Sequence, residues 1–420
     1  MKVYADLHIH SKYSGGSSLQ MNIPTLVSYA LIKGLNLLGT GDCFHPSWLR
    51  ELKENLVSVD GGLYHYRLNP HVMFIAQSEV GTIFEFNGKK RRVHHVILMP
   101  SLEVAEQLSD CLSRYGDVIS NGRPIFNIHP SELIDIVLSV ESECLIFPAH
   151  IWTPWWSMFG SFSGVDRIED CYSDKVNKIY AIETGLSSDP EMNWCVSQLN
   201  KFSILSFSDS HSPYPFRLGR EACLFNLNKL NYKELVNTIK SRDKSKFLMT
   251  IEVDPAYGKY HWSGHRNCNV GPLSPNEARK LNYICPICGR KLTKGVEDRV
   301  EELSDRPKGF MPQDHIDFIK VLPLQTIIAF SMGISEDEVH KLNSGSIWNL
   351  YSKLVSRFGS EFNVLLEAPI DEISKLSSTI ALYIKCMRER RYSITPGFDG
   401  VYGKINMFGS KIDLRSYITT

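Results

Sequence analysis

The sequence predicts an α/β fold in which parallel strands form a barrel, followed by a small metal-held element and a mainly helical C-terminal region. Three observations predict it. Short apolar runs alternate with helix-like stretches through the first half of the chain. A segment rich in Gly, Pro, Cys and charge follows, and amphipathic helical patterns return after it. These shifts predict domains at residues 1–253, 254–312 and 313–420.

The predicted strands are seven runs rich in β-branched and aromatic residues: Val3 to Ile9, Leu35 to Thr40, Val72 to Gln77, Val93 to Met99, Leu145 to Ala149, Lys178 to Thr184 and Ser203 to Ser208. The clearest helices between them are Pro24 to Lys33, Leu102 to Arg114 and Tyr232 to Ser241. This alternation favours parallel strands over a meander of hairpins. In such a barrel the chemistry lies at the C-terminal ends of the strands.

The region after residue 312 is predicted to be helical. Ser335 to Glu338 has the pattern of a capping box, and Glu372 to Arg390 has the pattern of one helix. A glycine-rich tail, Thr395 to Phe408, follows these helices.

Charge and cysteine content narrow the class of protein. Lys plus Arg and Asp plus Glu are both 46, so any contact with nucleic acid must come from local patches. Residues 381 to 420 provide one, with seven basic and three acidic side chains. Ten scattered cysteines and the absence of a signal-like or membrane-spanning run predict a soluble cytoplasmic protein with no membrane partner.

Histidines and carboxylates at the predicted strand ends indicate a metal site. His8 and His10 are two residues apart on one strand, so both side chains project from the same face, and Asp209 and His211 repeat this spacing. The other candidate ligands are Asp42, His45, Glu79, His95 and His150. Imidazoles with a few carboxylates suit zinc, manganese or iron, with magnesium an option for activity. Nine ligands suffice for two or three divalent ions.

Two of these residues are the predicted catalytic carboxylates. Glu79 can bridge two ions because each of its oxygens can bind one, and Asp209 is expected to hold an ion beside it. Two cations about 3.5–4 Å apart can activate water near neutral pH and stabilise the oxygens of a phosphoryl displacement. His94 and His95 face opposite ways on a strand, so one of them is the ligand; His95 is the first choice and His94 stays open.

A second metal is predicted in the cysteine-rich segment. His265, Cys268, Cys285 and Cys288 make a His-x-x-Cys and a Cys-x-x-Cys pair, a spacing suited to a closed tetrahedral structural zinc site. His261 competes with His265 for the fourth ligand position. The segment has little apolar periodicity, so metal is expected to fold it.

Six ordered motifs in about the first 250 residues resemble the PHP-domain phosphoesterase family. They are Asp6-Leu7-His8-Ile9-His10-Ser11, Gly41-Asp42, Glu79, His95-Val96-Ile97-Leu98, Ala149-His150 and Ser208-Asp209-Ser210-His211. The resemblance implies a distorted seven-stranded β/α barrel with a trinuclear metal site that hydrolyses phosphoesters. It assigns His8, His10, Glu79 and Asp209 to one ion, and Glu79, His95 and His150 to another.

The sequence departs from the common PHP pattern at two places. Ser14-Gly15-Gly16 stands where many members have a further His, and Gly41-Asp42-Cys43 stands where many have Thr-Asp-His. A third ion would therefore use Asp42 or His45, or be weakly held.

Five further motifs, two in the barrel region and three beyond it, resemble the endonuclease Q family within the PHP group. They are Glu183 to Pro190, Phe216 to Glu221, Gly264 to Cys268, Cys285 to Arg290 and Pro396 to Lys404. This resemblance implies a DNA repair endonuclease that cleaves 5′ of deoxyuridine, deoxyinosine or abasic sites. Damaged DNA is then the partner, a replication clamp is a candidate recruiting partner, and a monomer is expected. The rival functions are a small-molecule phosphatase such as a histidinol-phosphate phosphatase and a non-catalytic nucleic-acid-binding module.

The candidate DNA-binding residues are basic or aromatic. Arg217 and Arg220 follow the last metal motif, and Arg388, Arg390, Arg391 and Lys404 form the basic patch near the C-terminus. Trp152, Trp155 and Trp156 follow His150 and could either stack on an unstacked base or pack in the core.

Overall fold

The computed structural model describes residues 1–407, except for the side chains of residues 336, 337 and 339. The end of the predicted glycine-rich tail, Phe408, and the rest of the segment to Thr420 lie outside the described residues. The chain divides into two compact units, one formed by residues 1–252 with 296–319 and the other by 253–295 with the residues from 320 onward. The predicted element 254–312 is therefore shared between the two units, since residues 296–312 pack with the first.

The first unit contains all seven predicted strands, together with others that the sequence did not predict. Its strands are β1 (Lys2–Asp6), β2 (Leu37–Gly39), β3 (Leu56–Val59), β4 (Leu63–Tyr66), β5 (Asn69–Phe86), β6 (Lys89–Met99), β7 (Ile125–Phe126), β8 (Leu145–Pro148), β9 (Ala181–Glu183), β10 (Ser203–Leu205), β11 (Ala222–Asn226) and β12 (Phe247–Glu252).

The helices of this part of the chain are α1 (Ile23–Lys33), α2 (Pro46–Asn55), α3 (Leu102–Leu112), α4 (Pro130–Val140), α5 (Ile168–Tyr172), α6 (Pro190–Trp194) and α7 (Tyr232–Ser241). Local signals set their ends. Asn22 caps α1 by accepting the N–H of Thr25, and Gly34 ends it in the left-handed conformation. Asn231 caps α7 in the same way through the N–H of Glu234.

The sheet of the first unit is mixed rather than parallel. β2 pairs in parallel with β1 and β5, and β9 pairs in parallel with β10. β5 and β6, however, form a long antiparallel hairpin, and β6 pairs antiparallel with β8. The expectation of parallel strands is wrong for β6 because Asn87 and Gly88, with φ of 52° and 68°, make a tight hairpin turn.

Further backbone contacts link the strand ends of this unit. Ile151 donates its N–H to the carbonyl of Glu183 at 3.0 Å, and His10 donates to the carbonyl of Ser210 at 3.0 Å. Alternate residues of the seven strands, among them Val3, Ala5 and Leu7 of the first, share one buried core with α7. The core therefore fixes the strand ends, where the polar residues lie.

The rest of the chain forms β13 (Ser263–His265), β14 (Val270–Leu273), α8 (Pro275–Lys280), α9 (Val296–Leu303), β15 (Asp317–Lys320), α10 (Leu324–Ser331), α11 (Gly345–Phe358), α12 (Ile370–Ser374), α13 (Ser378–Arg388), β16 (Ser393–Thr395) and β17 (Lys404–Asn406). The capping box of Ser335 and Glu338 is confirmed. The single helix predicted from Glu372 to Arg390 is two helices, because Ser377 starts a new one by accepting the N–H of Ile380. Within the described part of the chain, no helix has the length and apolarity to cross a membrane.

Candidate metal centre

Four predicted ligands from distant parts of the chain meet in one buried cluster. The ligating atoms of His8, His10, Glu79 and Asp209 all lie within 4.8 Å of one another. His10 Nε2 is 3.0 Å from Asp209 Oδ1 and 3.2 Å from Glu79 Oε2. His8 Nε2 is 3.7 Å from an oxygen of each carboxylate. The set predicted for the first ion is thus brought together.

Two buried carboxylates orient the imidazoles of this cluster. His8 donates its Nδ1–H to Glu183 Oε1 at 2.9 Å, and His10 donates its Nδ1–H to Asp42 Oδ1 at 2.9 Å. A proton held on Nδ1 leaves Nε2 as the ligand atom, which is how histidines are usually prepared for a metal. Sequence reasoning missed this role of Glu183, although the residue ends a predicted strand as the ligands do.

A second cluster shares Glu79 with the first. It consists of Glu79, His94 and His150, whose ligating atoms also lie within 4.8 Å of one another. His94 Nδ1 is 2.8 Å and His150 Nε2 is 3.1 Å from Glu79 Oε1. Both oxygens of Glu79 therefore face candidate ligands: Oε1 lies near His94, His150 and His8, and Oε2 lies near His10.

The structure places His94, and not His95, in the second cluster. His95 is fully buried on the opposite face of β6. Its Nε2 is 3.0 Å from the hydroxyl of Thr82, and its Nδ1 is 3.1 Å from the hydroxyl of Tyr172. The choice of His95 is corrected accordingly, because strand alternation turns it away from Glu79.

The charges of the cluster hold one another in place. Burial opposes charging of the His8 ring, but Glu183 and Glu79 hold its pKa well above its ordinary value. Burial also opposes charging of Glu79, yet His94 and Arg123 hold the pKa of that carboxyl well below its usual range. For His94 burial prevails and lowers the pKa to about 4, which favours a neutral imidazole able to bind a cation.

The donor set fits divalent cations. Within the described residues, His8 Nε2 is buried and has no hydrogen-bond partner, which is costly unless a ligand satisfies it. Neutral imidazoles and ionised carboxylates are the ligands of zinc, manganese and iron in proteins. Asp42, His150 and Asp209 also adopt positive φ, of 44°, 29° and 46°. Backbone strain of this kind concentrates at functional sites.

Three other predicted ligands lie beside the two clusters but outside them. Asp42 uses one oxygen for His10, while its other oxygen accepts the N–H and hydroxyl of Ser11. His45 caps α2 through Nδ1, and its ring stacks on Tyr13 with centroids 4.4 Å apart. The ring of His211 lies 4.2 Å from that of His10, and its Nδ1–H donates to the carbonyl of Asp209.

An arginine that the sequence did not single out enters the site. Arg123 lies 3.1 Å from Glu79 Oε2, and its side chain is 27 % exposed. Its loop is held close to the ligands, because Gly122 donates its N–H to Tyr13 and a Cβ on Gly122 would lie 2.5 Å from Asp42. Arg123 therefore places a positive charge beside the candidate metal ligands.

The four residues predicted to hold a structural zinc also come together. Ligating atoms of His265, Cys268, Cys285 and Cys288 lie within 4.8 Å of one another. Burial opposes charging of the Cys285 thiol, but the N–H groups of Cys288 and Ile287 lower its pKa to about 6, as a thiolate ligand needs. Among the described residues, His265 and not His261 belongs to this group.

Most of the predicted DNA-binding arginines have structural contacts. Arg220 donates to the carbonyl of Ser208 at 2.9 Å, and Arg388 donates to the carbonyls of Val364 and Leu365. Arg217 lies over the ring of Phe216, with 5.5 Å to the centroid. Arg390 and Lys404 are exposed.

The three tryptophans after His150 have different environments. Trp152 is fully buried and donates its Nε1–H to Asn193, so it belongs to the core. Trp156 packs on the ring of His94, with centroids 4.9 Å apart. Trp155 is 41 % exposed and stacks on Phe162.

Comparison with known sequences places the chain among related proteins. The sequence family described as the MJ0043 C-terminal domain matches residues 323–391. YqxK of Bacillus subtilis is 30% identical over 429 residues, which cover 96% of this chain and 99% of that protein. MJ0043 of Methanocaldococcus jannaschii is 33% identical over 269 residues, or 63% of this chain. The match covers 32% of MJ0043, so this chain corresponds to about a third of that protein.

Two solved structures are similar over almost the whole chain. The lesion-specific endonuclease PfuEndoQ from Pyrococcus furiosus matches with a TM-score of 0.86 and 33% identity, covering 99% of both chains. A complex of endonuclease Q with a 27-mer duplex substrate, which has an abasic lesion at the active site, matches with a TM-score of 0.87 and 33% identity. It covers 99% of this chain and 100% of that one.

The mixed α/β fold and the paired clusters of buried histidines and carboxylates define a metal-dependent phosphoesterase of the PHP type. Similarity along the entire length of the chain narrows this class further. The chain belongs to the endonuclease Q family.

Proposed function

We propose that this chain is a metal-dependent DNA endonuclease that hydrolyses the phosphodiester on the 5′ side of deaminated bases, namely uracil, hypoxanthine and xanthine, and of abasic sites. One observation carries the proposal: two ligand clusters share Glu79 in a chain that matches, over 99% of its length, an endonuclease Q bound to duplex DNA with an abasic lesion. The seven strands β1, β2, β5, β6, β8, β9 and β10 would form the distorted barrel around this site.

The clustered residues would have distinct roles in binding metal ions. His8, His10, Glu79 and Asp209 hold one divalent ion, and Glu79, His94 and His150 hold another. A third ion would use Asp42 or His45, and His211, beside His10, is a further candidate ligand. Zinc, manganese or iron suits these donors, and one structural zinc would occupy His265 and the three cysteines. When bound, such cations lower the pKa of water and stabilise charge on the reacting oxygens.

Arg123 is proposed to bind the scissile phosphate. Its guanidinium donates from Nη1 to Glu79 Oε2 at 3.1 Å, and the partly exposed side chain has further N–H groups that can donate to a phosphate oxygen. Metal ions held by the neighbouring imidazoles would contact the same phosphodiester. Arg217, Arg390 and Lys404 are candidate contacts to more distant phosphates.

The proposal is tested with a panel of oligonucleotides, each with one uracil, hypoxanthine, xanthine or abasic site, mapped for the position of the nick. Chelation should abolish nicking and added manganese or zinc should restore it, while Asp209→Asn should be inactive in both conditions. Nicking that is insensitive to chelation would contradict the proposal. Rapid turnover of a free phosphomonoester without nicking would favour the small-molecule phosphatase. DNA binding without metal and without turnover would favour the non-catalytic module.

A replication clamp as partner and a monomeric state are further proposals. A monomeric state is supported by the candidate ligands His8, His10, Glu79, His94, His150 and Asp209, which all come from the first unit of one chain. Sedimentation of the protein alone and with a clamp tests both.

A further inference from the structure

The hairpin that carries the metal ligands also extends a basic end toward the surface. Glu79 on β5 lies opposite Val96 on β6, and the next pairs on the same face are Gly81 with His94, Ile83 with Arg92 and Glu85 with Lys90. The chain reads Lys89-Lys90-Arg91-Arg92 here, against the single acidic Glu85. The hairpin therefore leads from the ligands to four cations in a protein with no net charge.

A loop from His150 is fastened along this hairpin. His94 donates its N–H to the carbonyl of Trp156 at 3.0 Å, and Arg92 donates its N–H to the carbonyl of Ser163 at 3.1 Å. Ser163 in turn accepts the N–H of Trp156 through its hydroxyl at 2.7 Å. These bonds fix residues 156–163 to the strand that supplies His94, so the loop is a rigid part of the site.

Trp156 connects the metal ligand to the basic end. Its ring lies over Gly81, where a Cβ would come within 3.1 Å of the indole, and it contacts the ring of His94. The guanidinium of Arg92 lies on the ring, 5.4 Å from the centroid. Ligand, indole and cation thus form one continuous row.

Two aromatic rings stand exposed on the same loop. Trp155 and Phe162 are stacked, with centroids 5.0 Å apart and an angle of 3° between their planes. They are 41% and 47% exposed. This exposed pair offers aromatic surface to a further planar ring, and a nucleic-acid base is one that also brings a phosphate for the neighbouring cations.

We infer that the Trp155–Phe162 pair and the basic residues Lys90 and Arg92 form a binding surface for the DNA strand beside the cleaved phosphodiester. The aromatic pair stacks on a base that has lost its own stacking neighbour at the lesion, and the cations hold the adjoining phosphates. This inference rests on the proposed nuclease function. The DNA strand would run from the metal ligands toward the turn of the β5–β6 hairpin, along the face that carries His94, Arg92 and Lys90.

The test measures single-turnover nicking of an abasic-site duplex against enzyme concentration, which separates the half-saturating concentration from the maximal rate. Trp155→Ala with Phe162→Ala should raise the half-saturating concentration about five- to 100-fold and leave the maximal rate within about twofold. Lys90→Gln with Arg92→Gln should also raise the half-saturating concentration, and should reduce the slope of log affinity against log salt by about one to two.

The matched control for the aromatic pair is Leu68→Ala, an exposed apolar residue outside the proposed surface. The matched control for the basic pair is Lys229→Gln with Lys233→Gln, two exposed lysines near the start of α7. Bound metal and thermal melting of each variant report folding. If the wild type nicks the duplex and both surface variants have the same half-saturating concentration as their controls, the proposed binding surface is wrong but the nuclease function still holds. Absence of wild-type nicking would overturn both. Unchanged DNA affinity with loss of a protein partner would show that the surface binds protein instead.

Discussion

Glu183 joins the two halves of the metal centre. Its Oε1 accepts the Nδ1–H of His8 at 2.9 Å, and its Oε2 accepts the backbone N–H of His150 at 2.8 Å. One buried carboxylate at the end of β9 therefore orients a ligand of the first cluster and the backbone of a ligand in the second. Carboxylates in this position also raise the basicity of the imidazole that they hold.

Glu183→Gln is expected to weaken metal binding about 10- to 100-fold, because the amide keeps the shape of the side chain but loses the charge that favours metal binding by His8. The metal affinity is measured by titrating metal into the metal-free variant and recording the nicking rate at each metal concentration. Excess metal should restore the rate. Glu54→Gln, an exposed carboxylate, is the control. Equal metal affinity in both variants would show that Glu183 has no part in the site.

His94→Ala and His95→Ala should differ although the residues are adjacent. Loss of His94 removes a ligand, so bound metal and nicking should fall while the melting temperature stays close to that of the metal-free wild type. Loss of His95 removes its hydrogen bonds with the buried hydroxyls of Thr82 and Tyr172 and leaves a cavity, so the free energy of unfolding should fall, by about 1 kcal/mol for each hydrogen bond. Elemental analysis and denaturant unfolding separate the two; loss of metal only in His95→Ala would reverse the assignment.

Arg123→Gln is expected to reduce the nicking rate about 100-fold while metal binding stays the same or becomes tighter. The guanidinium competes with cations for Glu79, so its removal favours metal, yet it also removes a donor for the developing charge of the phosphate. Arg123→Lys should recover part of the rate because it keeps the charge without the planar donors. A parallel loss of metal and rate in Arg123→Gln would assign Arg123 to metal-site integrity alone.

The cysteine-rich element should unfold without its metal. Its apolar cluster is small, formed by Ala278, Cys285 and Leu292, and cannot replace the metal. Cys288→Ser should remove one zinc per chain and expose residues 263–292 to hydrogen exchange, whereas Cys111→Ser should change neither. Because zinc binds the thiolates, its affinity should fall as the pH drops toward the Cys285 pKa of about 6. Retention of zinc in Cys288→Ser would exclude this ligand set.

Glu252 is expected to make stability fall with pH. Burial raises its pKa to about 8, and its oxygens face the hydroxyls of Thr250, Thr184 and Ser206. An unfolded glutamate ionises near pH 4.3, so between about pH 4.3 and 8 the unfolded chain loses a proton that the folded chain keeps. Stability attributable to this group is therefore present below that range and decreases as the pH rises through it.

Glu252→Gln removes this titration, so its unfolding midpoint in urea should lose less between pH 5 and 8 than the midpoint of the wild type. Glu54→Gln is again the control. Identical pH dependence in Glu252→Gln and the wild type would show that Glu252 is ionised in the folded protein.

Most members of both candidate metal-binding clusters could be predicted from the sequence, because the pairing of His8 with His10, and of Cys285 with Cys288, depends on short spacings that a strand or a knuckle converts directly into geometry. The capping box at Ser335 is local in the same way. The Asn87-Gly88 turn was also a local signal, and it would have predicted the β5–β6 hairpin.

What only the tertiary structure decided depends on contacts between distant residues. The direction in which β6 faces the core selected His94 over His95, and Glu183 acquired its role by meeting His8 across 175 positions of sequence. Arg123 likewise reaches Glu79 only because its loop packs on Asp42. Residue spacing carries no information about such meetings, since they follow from how the whole core packs and from which buried charges then need a partner.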